Sequence, residues 1–70
     1  MDAEAIRELL HRQPFQPFEI VMSSGEVHQV IHPEFAIVSP SRVVVVDPVT
    51  ERLAILSRVH ITEVRTPQAA

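Results

Sequence analysis

The chain has no cysteine, tryptophan, tyrosine or lysine, and its single glycine is Gly25. Without cysteine there is no disulfide, no thiolate zinc site and no cysteine nucleophile. Without Trp or Tyr, the aromatic anchors reduce to Phe15, Phe18 and Phe35. One glycine is too few for a Gly-rich loop that cradles phosphate. No uninterrupted apolar run is longer than residues 43–46, far short of the ~20 residues that cross a bilayer as a helix. The opening stretch, MDAEAIRELL, lacks the basic and apolar regions of a secretory signal. A cytoplasmic location is therefore expected, with no membrane partner.

Basic charge is also scarce. Six arginines face nine acidic side chains, for a net charge of −3 with histidine neutral. No run of arginine forms the basic stripe that neutralises phosphates, so composition disfavours nucleic acid as a partner. Apolar content is high at 46%, and valine is its commonest residue. Seventy residues make one domain, 1–70. A chain of that size buries only about 60% of its unfolded surface. Its stability must come from dense apolar packing or from association.

Local patterns divide the chain into a helix over 3–12, a proline-rich connector over 13–17, antiparallel strands within 18–65 and a tail over 66–70. Asp2 is placed to cap the helix and Glu4 to complement its dipole. Ala3, Ile6, Leu9 and Leu10 form one apolar stripe. Glu8 and Arg12 are spaced as an i,i+4 pair. Pro14 stops the helix. PFQPF reads as a stiff link with Phe15 and Phe18 folded onto the core.

From Phe18 the apolar period becomes two. Strands are expected from Phe18 to about Met22, then over 26–32, 35–39, 42–46, 53–56 and 61–64. SSGE is a hairpin turn with Gly25 at positive φ. SPSR and DPVTE are the later turns. Residues 43–46 are apolar on both faces, so that strand should be covered on both sides, by the helix or by a neighbouring subunit.

The stretch VHQVIHPEF holds the densest group of chemistry-bearing residues. On a helix, His28 and His32 would be a metal pair, but Pro33 and the β-branched neighbours favour a strand. On a strand the two lie roughly 13 Å apart, too far to share one zinc. What remains is His32 with Glu34 around Pro33, either an acid–base pair or a strand end where Pro33 breaks pairing. Arg58 and His60, just before the last strand, could contact an anion. These four, His32, Glu34, Arg58 and His60, are the candidate binding residues. No serine sits in a nucleophile-elbow context. No catalytic residue, metal site or cofactor is expected, and the chain reads as non-enzymatic.

Nearly the whole chain resembles a group of small bacterial proteins of uncharacterised role. The shared stretches are LL at 9–10, PFQPFEI at 14–20, SSGE at 23–26, VIHPEF at 30–35 and HITEV at 60–64. The order of elements, ending in SRVHITEV, is similar to the Sm-like and SH3-like small barrels. That resemblance implies an α+β, mainly β fold: an N-terminal helix followed by a five-stranded antiparallel barrel of the kind that assembles as a ring. In Sm-like RNA chaperones the matching turn binds RNA through adjacent basic residues; here it carries Arg58 and His60, which are not adjacent.

Three functional expectations follow. The first is a non-enzymatic interaction or regulatory module that forms a homo-oligomer, with an edge strand open to a protein partner. The second is Sm-like RNA binding through Arg42, Arg52 and Arg58 with His60. The third is a metal-binding protein that gathers His28, His32, Glu34 and His60 between chains.

Overall fold

The computed structural model describes residues 3–66. The expected Asp2 cap and the tail beyond Thr66 lie outside the described residues. Helix α1 spans Ala3–Leu10. Six strands follow: β1 (Phe18–Met22), β2 (Val27–Val30), β3 (Ala36–Val38), β4 (Arg42–Val46), β5 (Leu53–Ser57) and β6 (Ile61–Arg65). Two single-turn 3₁₀ helices, Pro33–Phe35 and Arg58–His60, join β2 to β3 and β5 to β6.

α1 forms as its stripe predicts: Ala3, Ile6 and Leu10 are buried and Leu9 packs partly against the core. It is shorter than expected. His11 N–H still bonds the Arg7 carbonyl at 3.1 Å, and the chain then leaves the helix before Pro14. An ion pair on its surface joins Glu4 to Arg7 at 3.4 Å, one turn earlier than the expected Glu8–Arg12 spacing. The Gln13–Pro14 peptide is cis. Beyond it Phe15 packs partly on the core and Phe18 fully, their ring centroids 6.1 Å apart.

The strands form two antiparallel three-stranded sheets, β2-β1-β6 and β3-β4-β5. The mainly β class with an N-terminal helix is as expected; among the described residues the six strands form two separate ladders, not the one closed five-stranded ladder expected. The cause is local. Pro33 lacks a backbone donor and begins a 3₁₀ turn. Pairing of β2 with β1 ends at Val30, two residues short of the expected His32. Pairing with β4 resumes at Ala36. The Pro33–Phe35 turn thus carries the chain from one sheet to the other.

Turn chemistry sets the hairpins. Gly25 sits at φ +94° between β1 and β2, and Met22 N–H bonds the Glu26 carbonyl at 2.8 Å. In the β4–β5 turn, Asp47 accepts bonds from Val49 N–H (2.8 Å) and Thr50 N–H (3.0 Å). Glu51 closes that turn at φ +61°, a left-handed conformation rare for a non-glycine residue. On β6, Thr62 is the extra residue of a bulge opposite Val21 and Met22, and its hydroxyl donates to the Val21 carbonyl at 3.1 Å.

One core lies between the sheets. β1 contributes Phe18, Ile20 and Met22 at period two, β4 contributes Val43 and Val45, and Val30, Ala36, Leu56 and Ile61 complete it. Ile6 and Leu10 of α1 join the same cluster. α1 packs along β3, where the Arg7 guanidinium reaches the Val38 carbonyl at 3.5 Å.

Candidate functional site

The four candidate binding residues fall in two places. His32 is the extended residue that precedes the Pro33–Phe35 turn. Its ring packs edge-on against Phe35 with centroids 5.5 Å apart, and its carbonyl accepts Phe35 N–H at 3.1 Å. Glu34 is exposed on the same turn. Arg58 and His60 flank exposed Val59 in the second 3₁₀ turn. Their main chains tie that turn down: Arg58 N–H bonds Ser41 O at 3.0 Å, and Ser23 N–H bonds His60 O at 2.7 Å.

The second histidine grouping differs from the one spacing suggests. His28 and His60 line one cleft of about 580 Å³, with Ser24 and Glu26 on one wall and Ile55 and Ser57 on the other. His32 and Glu34 do not line it. Among the described residues, no group of three or more His, Asp or Glu is placed to hold a metal ion. Arg42 and Arg52 sit at opposite ends of the β4–β5 hairpin, since Arg42 pairs with Ser57 while Arg52 precedes Leu53, the partner of Val46.

A neighbouring cleft of about 650 Å³ runs from β2 to the β4–β5 turn and contains His28, Asp47, Arg52 and the Glu19–Arg65 ion pair. The Asp47 carboxyl is held below its ordinary value of 3.8, chiefly by the Thr50 and Val49 N–H bonds. Those bonds build the turn. They account for the carboxylate without any ligand.

The largest uncommitted feature is apolar. Strand register places Ile37, Val44 and Ile55 in one row across β3, β4 and β5. Val46 and Leu53 make the next row. All five point away from the core, because Val38, Val43, Val45 and Leu56 occupy the alternate, inward positions. Ile37, Leu53 and Ile55 are each 68% exposed. α1 packs along the β3 side of this sheet, and β5 is its other edge. Sequence reading identified both-sided apolarity only in residues 43–46. The same signal was present in Leu53–Ser57, where Leu53 and Ile55 alternate with Ala54 and Leu56, and in Ala36–Val38.

The described residues contain no helix long and apolar enough to cross a membrane. No family model matches the chain, and neither a curated protein nor a solved structure matches it.

Proposed function

We propose that this chain is a small non-enzymatic interaction or regulatory module that self-associates. The observation that carries the reading is the exposed aliphatic face of β3-β4-β5. Aliphatic side chains left in water forfeit about 1.5–3 kcal/mol each relative to burial. Monomeric proteins rarely keep contiguous apolar patches beyond a few hundred Å² without a use for them. The carboxylate held below its ordinary value points the same way: Asp47 accepts the Val49 and Thr50 N–H groups that build its own turn.

The finer architectural reading is a Sm-like or SH3-like small barrel, with β2 and β3 as two halves of one bent strand. The connectivity supports it, since β1 pairs with β2, β4 pairs with both β3 and β5, and β6 returns to β1. A cytoplasmic location fits the same reading. RNA binding remains the weaker alternative, because the net charge is negative and Arg42 and Arg52 stand at opposite ends of their hairpin.

Sedimentation velocity across a thousandfold range of protein concentration tests the proposal. A concentration-dependent shift from monomer to a defined oligomer is expected. A monomer throughout would overturn it.

A further inference from the structure

We infer that the occupant of the exposed β3-β4-β5 face is the same face of a second copy, stacked about a two-fold axis that runs along the Ile37–Val44–Ile55 row. This rests on the self-association proposed above and assigns it a surface, a symmetry and an orientation.

Area comes first. Three aliphatic side chains at 68% exposure, with half-buried Val44 and Val46 between them, form a single patch. Its apolar area is on the order of 400 Å², the size of the largest apolar patches on single domains, which are often functional. Two such patches brought together bury about 800 Å² of apolar surface, the scale of a weak, concentration-dependent pair and below the ~1,200 Å² of a standard interface. Stacking covers the patch. Extending the sheet through the free edge of β5 would instead lay two uncovered patches side by side. The burial argument therefore selects face-to-face packing, the sheet-on-sheet arrangement in which inner side chains interdigitate across ~10 Å.

Charge then selects the orientation. At one end of the face stands Arg42, beside Ser57. At the other lies the turn with Asp47, Glu51 and Arg52, net negative. If the two copies ran with strands parallel, Arg42 would face Arg42 of the second copy. With strands antiparallel, Arg42 faces the acidic turn of the other copy, twice over by symmetry. An isologous interface needs this kind of self-complementarity. The axis along the central row delivers it and sets Ile55 against Ile55 of the second copy.

The helix supplies the boundary. α1 lies along β3 and is committed to the core through Ile6 and Leu10, so it does not cover the outer face. The Arg7 contact to the Val38 carbonyl holds it there.

The test uses the full chain in sedimentation and native mass spectrometry, with Ile55→Lys, Ile37→Lys, Arg42→Glu, Arg42→Glu/Glu51→Arg and Val27→Lys variants. Ile37 and Ile55 are exposed in the single chain, so their lysine variants keep the fold, which circular dichroism checks. Val27 is 43% exposed on β2 of the other sheet and serves as the control. A wild-type dimer is expected. Ile55→Lys should raise its Kd roughly a hundredfold or more, because each substitution acts on both copies. Val27→Lys should leave it unchanged. Arg42→Glu should weaken it about tenfold, and the added Glu51→Arg should recover most of that loss.

A wild-type monomer at all concentrations would overturn self-association itself. A wild-type oligomer that Ile55→Lys and Ile37→Lys leave intact would overturn this face while leaving self-association standing. A ring with an odd number of subunits would overturn the two-fold axis. Failure of the charge reversal to recover affinity would overturn the antiparallel orientation.

Discussion

At the scale of single residues, two turn positions carry more information than any histidine. Asp47 accepts two backbone N–H bonds, and these hold its carboxyl below 3.8. A carboxyl with a depressed folded pKa contributes stability that is fully present above its unfolded value. That stability is lost as pH falls through the lowered folded value. Asp47→Ala should therefore lower the thermal midpoint at pH 7, and the gap from wild type should narrow as melts are taken progressively below the ordinary value of 3.8. Glu51 occupies the left-handed region at φ +61°, which costs an ordinary side chain on the order of 1 kcal/mol. Asn tolerates that region better, so Glu51→Asn should stabilise the fold by about 0.5–1 kcal/mol in urea titrations. An unchanged midpoint would mean the turn is not strained. Phe18, 1% exposed beneath Phe15, is the opposite kind of position. Phe18→Ala should cost about 3–5 kcal/mol, enough to unfold a domain this small, visible as lost far-ultraviolet β signal at room temperature.

At the scale of elements, the hairpins and the break at Pro33 decide the architecture. Gly25 has nothing within 4 Å of where a Cβ would sit, yet its φ is +94°. Gly25→Ala therefore isolates backbone strain from crowding, and should destabilise by about 1–2 kcal/mol in equilibrium unfolding. Much of this level was legible in the chain. The helix stripe, the period-two runs, the lone glycine turn and the β4 limits all match their residue patterns. The ends of β2 and β3 were less legible. The residues at 31–32 and 35 continue the apolar or extended pattern, but Pro33 and its 3₁₀ turn withdraw them from pairing. Strand limits depend on which backbone groups find partners across the sheet, and no single strand's sequence specifies its partner.

At the scale of the whole molecule, burial sorts apolar residues that look equivalent in the sequence. Four consecutive valines at 43–46 divide into two core residues and two on the outer face. Leu53 and Leu56 belong to one strand, yet the first is 68% exposed and the second 6%. Only the pairing of three strands places Ile37, Val44 and Ile55 side by side, which is why the proposed interface was not visible as a site beforehand. Raising salt from 50 to 500 mM should loosen the copy-to-copy contact only modestly, since its centre is aliphatic and only the Arg42 rim is screened. Sedimentation at the two salts checks this; a collapse of affinity would assign the association to charge instead.

The chain's composition and periodicities determined its class: a small, cysteine-free, mainly β fold with an N-terminal amphipathic helix and hairpins at SSGE and DPVTE. Those features depend on neighbours a few residues apart, where propensity and turn chemistry act directly. The tertiary structure alone decided that the strands form two ladders, that His28 and His60 line one cleft while His32 packs on Phe35, and which apolar residues stay in water. Each of those depends on register between distant segments, and a shift of one residue would exchange the buried face for the exposed one.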